Sequence, residues 1–463
     1  MVTIYFTIKL KEVKYMSDIY SQDITKKNFI NFVWPSIVMM LVIAARYNID
    51  SILVANMLGE VALAAVGIAY PVQGMMWGVS VMLASGSSAL VAIRMGEGDM
   101  PAANRGFSLV CMLSVIIGFI FLFVTLLFMD PIIGFLGAEG ELAFHVEEFL
   151  RIFSWAFPAA FIGLIFEYYI RVDGRPGFTL VLYLSGAIAH VIVAAVCMGK
   201  YDMGIAGDAW GNLVDLYVMV VVGALYFIFA KTKLKLCRFK IEWRFIGHSF
   251  FNGSSELVSE SAAGICTFFY NLLMLKMVGS TGVASVNIVL NLHYFVISIY
   301  IGYIMGIAPL ISYFYGAKEF EKINKIISYS KTFILVSSVI SALAFLLFSG
   351  LLVQLYERPG SELYEMSVIG TRWLAPALLL GGINVFASGF FTAYGNGLIS
   401  ALISASRALI MVVVGMFLLS WIFGTNGIWM TLTFAELMTL GLTFGMFGKY
   451  KNKYNYNFGI GRL

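Results

Sequence analysis

Three carboxylates in this sequence lie inside or at the end of long apolar segments, where a charged group is costly. Asp50 ends the segment FVWPSIVMMLVIAARYNID, and Glu256 and Glu260 stand four residues apart in NGSSELVSE. An ionisable group at the centre of a bilayer costs about 2.5–3.5 kcal/mol on insertion scales, so such groups usually serve a function. A carboxylate in a low-dielectric cavity has an increased affinity for a proton. We therefore predict that Asp50, Glu256 and Glu260 bind and release a coupling cation.

Each of these carboxylates also has a structural interpretation. Arg46 lies four residues before Asp50 on the same helical face and could neutralise it as an ion pair. Glu256 could cap the start of its helix near the membrane surface. Two carboxylates at positions i and i+4 cannot both ionise cheaply, however, which favours a proton or cation held by Glu256 and Glu260.

A second group of polar side chains in apolar segments is predicted to line a substrate cavity. A lone histidine such as His190 could titrate near neutral pH, although such residues more often form hydrogen bonds between helices. The asparagines of the group could equally join helices. Arg407 and Glu436, in the last two apolar segments, are predicted to form a structural ion pair. The predicted cavity residues are His190, Tyr270, Asn271, Asn287, Asn291 and His293.

The composition shows what kind of protein must position these residues. Of the 463 residues, 60% are hydrophobic and only 12% are charged, whereas soluble proteins carry about 25% charged residues. This excludes a soluble enzyme and indicates a polytopic membrane protein. The net charge of +4 is small and scattered, so no nucleic-acid partner is expected. The four cysteines lie far apart without a CxxC pair, so neither a disulfide framework nor a metal site is expected.

Twelve segments are long and apolar enough to span a bilayer as helices, which need about 20 residues each. The connections between them alternate in charge: residues 231–250 contain six Lys or Arg, whereas residues 130–148 contain none. Basic connections stay in the cytoplasm, which predicts that both termini are cytoplasmic. The predicted spans lie near residues 31–55, 62–93, 107–129, 149–170, 177–198, 209–230, 251–278, 282–314, 329–355, 366–394, 397–422 and 426–448.

The two halves of the chain resemble each other at a shift of 220 residues. Six spans per half is an even number, so both halves enter the membrane in the same direction. This predicts two six-helix lobes related by a pseudo-twofold axis along the membrane normal, the parallel-repeat design of alternating-access transporters. A membrane enzyme is disfavoured because no catalytic motif such as HExxH or GxSxG is present. The matched residues are Gly59, Ala64, Val66, Ile68, Gly86, Leu90, Gly96 and Asn104 with Gly279, Ala284, Val286, Ile288, Gly306, Leu310, Gly316 and Asn324.

The repeat also predicts the domain organisation. An N-terminal lobe is expected at 31–230 and a C-terminal lobe at 251–448, joined by a basic cytoplasmic linker at 231–250. Cytoplasmic tails are expected at 1–30 and 449–463. Asp50 falls opposite Tyr270 in the repeat, so the charged sites of the two lobes differ.

Several motifs resemble those of the multidrug and toxic compound extrusion (MATE) family. The stretch YNIDSILVANMLGEVALAAVGIAYPV (47–72) and the stretch SALVAIRMGEGDMPAAN (88–104) resemble the opening of that family. NGSSELVSE (252–260) and IAPLISYFYGAKEFEKIN (307–324) resemble the start of the second half in its bacterial branch. The resemblance implies a monomeric antiporter of the bacterial plasma membrane. It would export amphipathic, often cationic small molecules in exchange for H⁺ or Na⁺, without any other cofactor.

The resemblance leaves one alternative and shows one departure. The alternative is a flippase for lipid-linked saccharides of the same superfamily, which would need several basic residues in its cavity. Few basic residues lie within the predicted spans, among them Arg46, Lys276 and Arg407. The departure concerns the fifth helix, where family members carry a pattern like GNxxNxxxDP. Here the stretch reads GAIAHVIVAA, so an asparagine is replaced by His190 and the aspartate by Ala194.

Overall fold

The structure is a computed structural model that describes residues 19–458. Within this range it contains helices and no strands, and twelve helices are long and apolar enough to cross a membrane. The all-α fold predicted from the sequence is therefore confirmed. These helices are α1 (Lys26–Leu58), α2 (Glu60–Gly96), α3 (Met100–Leu127), α4 (Gly140–Val172), α5 (Pro176–Gly199), α6 (Ile205–Phe229), α7 (Trp243–Met277), α8 (Ser280–Gly316), α9 (Phe320–Leu347), α10 (Glu362–Ala393), α11 (Gly397–Phe423) and α12 (Thr425–Tyr454).

Several helices extend beyond the apolar segments that predicted them. α7 begins at Trp243 rather than near residue 251, and its first turns carry Arg244 and His248. A helix can continue into the polar interface of a membrane, where hydropathy no longer marks it. For the same reason α1 begins at Lys26 and α12 continues to Tyr454, inside the segments predicted as tails. The rest of those tails, 1–18 and 459–463, lies outside the described residues.

The repeat seen in the sequence is also present in the helix boundaries. α2 spans 60–96 and α8 spans 280–316, so both ends are shifted by 220 residues. α3 and α9 have the same shift at both ends. A short helix follows each of the latter, beginning at Met129 in the first half and at Ser349 in the second. The chain therefore folds as two matching six-helix lobes.

The matched residues Asn104 and Asn324 have equivalent roles in the two lobes. The Asn104 Oδ1 accepts a hydrogen bond from the backbone N–H of Lys235 at 2.9 Å, just after α6. The Asn324 Oδ1 accepts one from the backbone N–H of Asn457 at 2.7 Å, just after α12. Each asparagine thus ties the segment that follows the last helix of its lobe to the start of the third helix.

The two lobes meet through α2 against α7 and α8 and through α1 against α8. At the crossing of α2 and α7, glycines allow the backbones to touch. A Cβ on Gly86 would lie 1.9 Å from the carbonyl oxygen of Ser249, and one on Gly253 would lie 1.9 Å from that of Met82. Only glycine can occupy either position without moving a helix.

A second close approach lies where α2 and α8 end. A Cβ on Gly96 would be 2.0 Å from the carbonyl oxygen of Tyr313, and one on Gly316 would be 2.1 Å from that of Ile93. These two glycines are partners in the sequence repeat. We call this side of the bundle, where α2 and α8 end and α7 begins, the closed end.

The segment before α1 crosses the closed end. The Tyr20 hydroxyl donates a hydrogen bond to the carbonyl of Val172, the last residue of α4, at 2.7 Å. The Tyr20 ring lies 4.1 Å, between centroids, from the ring of Tyr313 in α8. One buried side chain therefore contacts both lobes at this end.

We expect Gly86→Val to weaken the contact between the lobes, because its side chain would meet the Ser249 backbone. Overpacking of this kind typically costs about 1–3 kcal/mol. The midpoint of thermal unfolding, followed by tryptophan fluorescence of the purified protein, should fall. Gly74→Val is the matched control, because Gly74 is in the same helix and has no atom within 4 Å of its added Cβ. Equal midpoints for the two variants would contradict this view of the interface.

Candidate cation site and substrate surface

A buried cluster of ionisable side chains lies inside the N-terminal lobe. Asp50 of α1 and His190 of α5 are joined by a hydrogen bond of 2.7 Å between Oδ1 and Nε2. Asp208, at the start of α6, completes the cluster, and one donor atom from each of the three residues lies within 4.8 Å of the others. His190 and Asp208 are fully buried, and the Asp50 side chain is 16% exposed. We call these three residues the N-lobe cluster.

Glycines bring α5 and α6 close enough to form this cluster. A Cβ on Gly211 of α6 would lie 3.1 Å from the His190 carbonyl oxygen and 2.7 Å from the Ala194 Cβ. A Cβ on Gly186 of α5 would lie 2.1 Å from the Asp215 Oδ1. The small residue at position 194, where the family pattern has aspartate, is thus part of a tight helix contact.

Polar side chains one turn or two turns apart on α6 hold the cluster in place. The Asn212 amide donates to the Asp208 Oδ1 at 3.3 Å. The Arg46 guanidinium donates to the Asn212 Oδ1 at 2.8 Å and forms an ion pair with Asp215, also at 2.8 Å. The ion pair of Arg46 is therefore with Asp215 and not with Asp50. Arg46 reaches across to the neighbouring helix, and the partner of Asp50 is His190.

Sequence reasoning missed Asp208 and Asp215. The predicted span began at residue 209, which left Asp208 outside it. A signal was nevertheless present, because Asp208, Asn212 and Asp215 follow the i, i+4, i+7 spacing of one helical face. Three polar residues on one face of an apolar helix indicate that this face is turned toward polar partners.

A second buried ion pair, Glu167 with Arg171, also lies in the N-terminal lobe, within α4. Both side chains are at most 1% exposed and they contact each other directly. The Tyr183 hydroxyl donates to the Glu167 Oε2 at 2.8 Å. Arg171 lies in the last turn of α4. Its charge is neutralised by Glu167.

The two glutamates of α7 lie on a surface between the lobes. Glu260 is exposed and Glu256 is half-buried. The Glu260 Cβ is 3.4 Å from the place that a Cβ on Gly78 of α2 would take, so it faces the other lobe. Glu260 is also within electrostatic range of the hydroxyls of Tyr70 and Tyr294.

Exposed aromatic rings from both lobes lie near Glu260. They belong to Tyr47 of α1, Tyr70 of α2 and Tyr294 of α8, which are between 36% and 56% exposed. We call Glu256, Glu260 and these three tyrosines the interlobe surface. Carboxylates near exposed aromatic rings suit an organic cation, which both groups attract. The three tyrosines were not predicted, since tyrosine in an apolar segment gives no distinctive signal.

The remaining predicted cavity residues lie in different environments. Asn271 of α7 and Asn287 of α8 are joined by a hydrogen bond of 3.1 Å, so they link two helices. Asn291 is exposed and His293 is half-buried, one and two turns further along α8.

Two of the predicted cavity residues are buried instead. Tyr270 is only 3% exposed and belongs to the hydrophobic core of the C-terminal lobe. It shares the inner face of α7 with Cys266 and Met274, four residues away on either side, which are buried too. His190 is fully buried in the N-lobe cluster. Sequence spacing gave no information on which helical face is turned inward.

Arg407 and Glu436, the predicted structural pair, lie close together in the C-terminal lobe. The Arg407 Nε donates to the Glu436 Oε1 at 2.9 Å, and the Asn384 amide donates to the Glu436 Oε2 at 2.8 Å. The Thr443 hydroxyl donates to the Asn384 Oδ1 at 2.8 Å. These bonds join α10, α11 and α12, and they satisfy a carboxylate that is almost fully buried.

Comparison with known proteins identifies relatives along most of the chain. A model of the MatE family matches residues 35–196 and 260–417. The chain is 23% identical to the multidrug export protein MepA of Staphylococcus aureus strain MSSA476 over 378 residues. This alignment covers 81% of this chain and 82% of that protein. Over 413 residues the chain is 21% identical to MepA of Staphylococcus saprophyticus, covering 89% and 90%.

Solved structures share the fold. One is the outward-facing conformation of a multidrug resistance MATE family transporter of the MOP superfamily, with a TM-score of 0.88 and 20% identity over 94% of this chain and 98% of that one. Another is MATE in complex with MaL6, with a TM-score of 0.89 and 19% identity over 95% and 98%. The arrangement of all twelve helices is therefore one already seen in transporters.

Proposed function

The chain belongs to the MATE family of transporters, and from this premise we propose that it exports amphipathic, often cationic small molecules in exchange for H⁺ or Na⁺. The observation that carries the proposal is the presence of two separate acidic sites. One is the buried N-lobe cluster, and the other is the interlobe surface around Glu260, which is open to a larger ligand. An antiporter needs a site for each of the two species that it exchanges.

The contacts between the lobes support an alternating-access cycle. The close glycine contacts at the closed end hold the lobes together there, while Glu260 is exposed further along α7. Seventeen residues separate Trp243 from Glu260, which is about 26 Å along a helix. We propose that the closed end faces the cytoplasm, in agreement with the basic linker there. In this state the interlobe surface is accessible from the outside, and rocking of the lobes exposes it to the cytoplasm.

The N-lobe cluster is proposed to bind the coupling cation. Asp50 has its carboxylate at the edge of the cluster and is partly exposed, whereas His190 and Asp208 are fully buried. A cation that reaches Asp50 changes the charge balance among α1, α5 and α6. The direct partner of Asp50 is His190, whereas Arg46 forms its ion pair with Asp215.

The alternative function, a flippase for lipid-linked saccharides, has less support. Such a protein would need free basic side chains to hold a diphosphate. Among the basic residues inside the helices, Arg46 is paired with Asp215, Arg407 with Glu436 and Arg171 with Glu167. Lys276 lies in the last turn of α7, near the end of its helix. The interlobe surface described above is acidic and aromatic, which favours cations.

We place the protein in the plasma membrane of a bacterium, with both termini in the cytoplasm. We further propose that it works as a monomer, since a single chain contains both the N-lobe cluster and the interlobe surface.

The decisive experiment is transport in liposomes that contain the purified full-length protein. A fluorescent cationic dye is loaded, and its movement is followed while the pH gradient and the sodium gradient are varied separately. We expect that one of the two ion gradients drives the dye, and that the dye moves in the direction opposite to the flow of that ion. Failure of either gradient to drive the dye would overturn the proposal of cation-coupled export.

A further inference from the structure

We propose that the N-lobe cluster is a binding site for a divalent transition-metal ion, such as Zn²⁺ or Co²⁺. The three ligands would be the carboxylates of Asp50 and Asp208 and the imidazole of His190. They come from three different helices, and their donor atoms already lie within 4.8 Å of one another.

The spacing of these atoms is compatible with coordination. Zinc binds imidazole nitrogen and carboxylate oxygen at about 2.0–2.2 Å, so tetrahedral ligand atoms stand about 3.3–3.5 Å apart. The His190 Nε2 and the Asp50 Oδ1 are 2.7 Å apart. They need to separate by less than 1 Å to admit an ion between them. Three protein ligands would leave a fourth position for water.

An unsatisfied polar atom inside the cluster points independently to a missing ligand. The Asp208 Oδ2 is buried and has no hydrogen-bond partner among the described residues. Buried polar atoms are nearly always hydrogen-bonded, so an orphaned carboxylate oxygen calls for a cation. The other oxygen of Asp208 is held by the Asn212 amide, as is usual for the outer partners that orient metal ligands.

The chemistry of the donors selects the class of ion. Imidazole nitrogen suits zinc, cobalt and other first-row transition ions, whereas Mg²⁺ and Ca²⁺ prefer sites made of oxygen alone. The positive charge that could repel an ion here, Arg46, is neutralised by Asp215 at 2.8 Å. Two carboxylates and one neutral imidazole would balance the charge of a divalent ion.

If the proposed function holds, a metal ion in the N-lobe cluster would also affect transport. A bound metal ion would occupy Asp50, which the coupling cation needs, and so would inhibit export. Metal binding itself can be measured without transport, so the two proposals can fail separately.

The test is a titration of the purified full-length protein with Co²⁺, followed by the visible absorption of the bound ion. The protein is reconstituted in nanodiscs after treatment with a chelator. All variants carry His145→Asn, because His145 lies 4.0 Å from Glu141 and 3.8 Å from Glu148 and could bind ions at the surface. We expect one Co²⁺ per chain, displaced by Zn²⁺ and retained in excess Mg²⁺ or Ca²⁺.

Variants then assign the ligands. His190→Asn and Asp208→Asn should each weaken Co²⁺ binding at least about tenfold, since even outer-shell partners typically contribute 10–100-fold. His248→Asn, an exposed histidine at the start of α7, is the matched control and should bind like the His145→Asn background. Thermal unfolding midpoints identify variants that fail to fold. The proposal is overturned if the background protein binds no Co²⁺, or if the folded His190 and Asp208 variants bind it like the control.

Discussion

Replacing Asp50 with asparagine is expected to reduce gradient-driven export of a cationic dye by about 5–150-fold, the range of typical coupling energies of about 1–3 kcal/mol. An amide has nearly the shape of a carboxylate and can still accept the hydrogen bond from His190, which is 2.7 Å long. It carries no charge, however, and cannot exchange a coupling cation. We therefore expect a folded protein that binds the dye but moves it against a gradient much more slowly.

The measurement compares initial rates of dye transport in liposomes with equal amounts of reconstituted protein. Asp130→Asn is the matched control, because Asp130 is an exposed carboxylate in the short helix after α3. Its transport rate should equal that of the unmodified protein. Dye binding, measured by fluorescence polarisation, should change less than about twofold in Asp50→Asn, because the dye is expected at the interlobe surface. Uphill export at the normal rate in this variant would exclude Asp50 as the coupling residue.

The sequence was sufficient to predict the fold because the bilayer imposes simple rules. Each span must be an apolar helix. An internal repeat with an even number of spans in each half predicts two lobes that enter the membrane in the same direction. The predicted start of α7, near residue 251, was too late, because the first turn of this helix contains Arg244 and is helical but polar. Such errors are confined to helix ends, where hydropathy carries no information.

The site was harder to predict because it depends on contacts between helices. Spacing along one helix suggested that Arg46 neutralises Asp50, since they are four residues apart. A long arginine side chain can equally reach a neighbouring helix, and Arg46 pairs with Asp215 of α6. The contact between Asp50 and His190 joins residues 140 positions apart. No pattern in a single sequence predicts a contact between residues that are so far apart along the chain.

The departure from the family pattern in α5 acquires a physical explanation from these contacts. Ala194 replaces an aspartate and packs directly against Gly211 of α6. A larger acidic side chain would not fit between the helices at this crossing. A carboxylate is supplied from α6 instead, by Asp208, and one of its oxygens lies within 4.8 Å of donor atoms of Asp50 and His190. The acidic group missing from α5 is thus replaced by one from another helix.

The second large effect is expected from Glu260→Gln, which should weaken the binding of a cationic dye about tenfold, equivalent to about 1.4 kcal/mol. Glu260 is the exposed carboxylate of the interlobe surface, near Tyr70 and Tyr294. The tyrosine rings remain in the variant and still attract a cation by about 0.5–1 kcal/mol each at exposed sites. We therefore expect partial rather than complete loss of affinity.

A comparison of two ligands separates the charge of Glu260 from its shape. The dissociation constant of a cationic dye should rise in Glu260→Gln, whereas that of an uncharged dye of similar size should change less than about twofold, because glutamine preserves the volume but removes the charge. Glu321→Gln is the matched control, since Glu321 is exposed at the start of α9. If both dyes lost affinity equally, Glu260 would act through packing alone. If neither did, the substrate would bind elsewhere, and the acidic character of the interlobe surface would not determine what the protein exports.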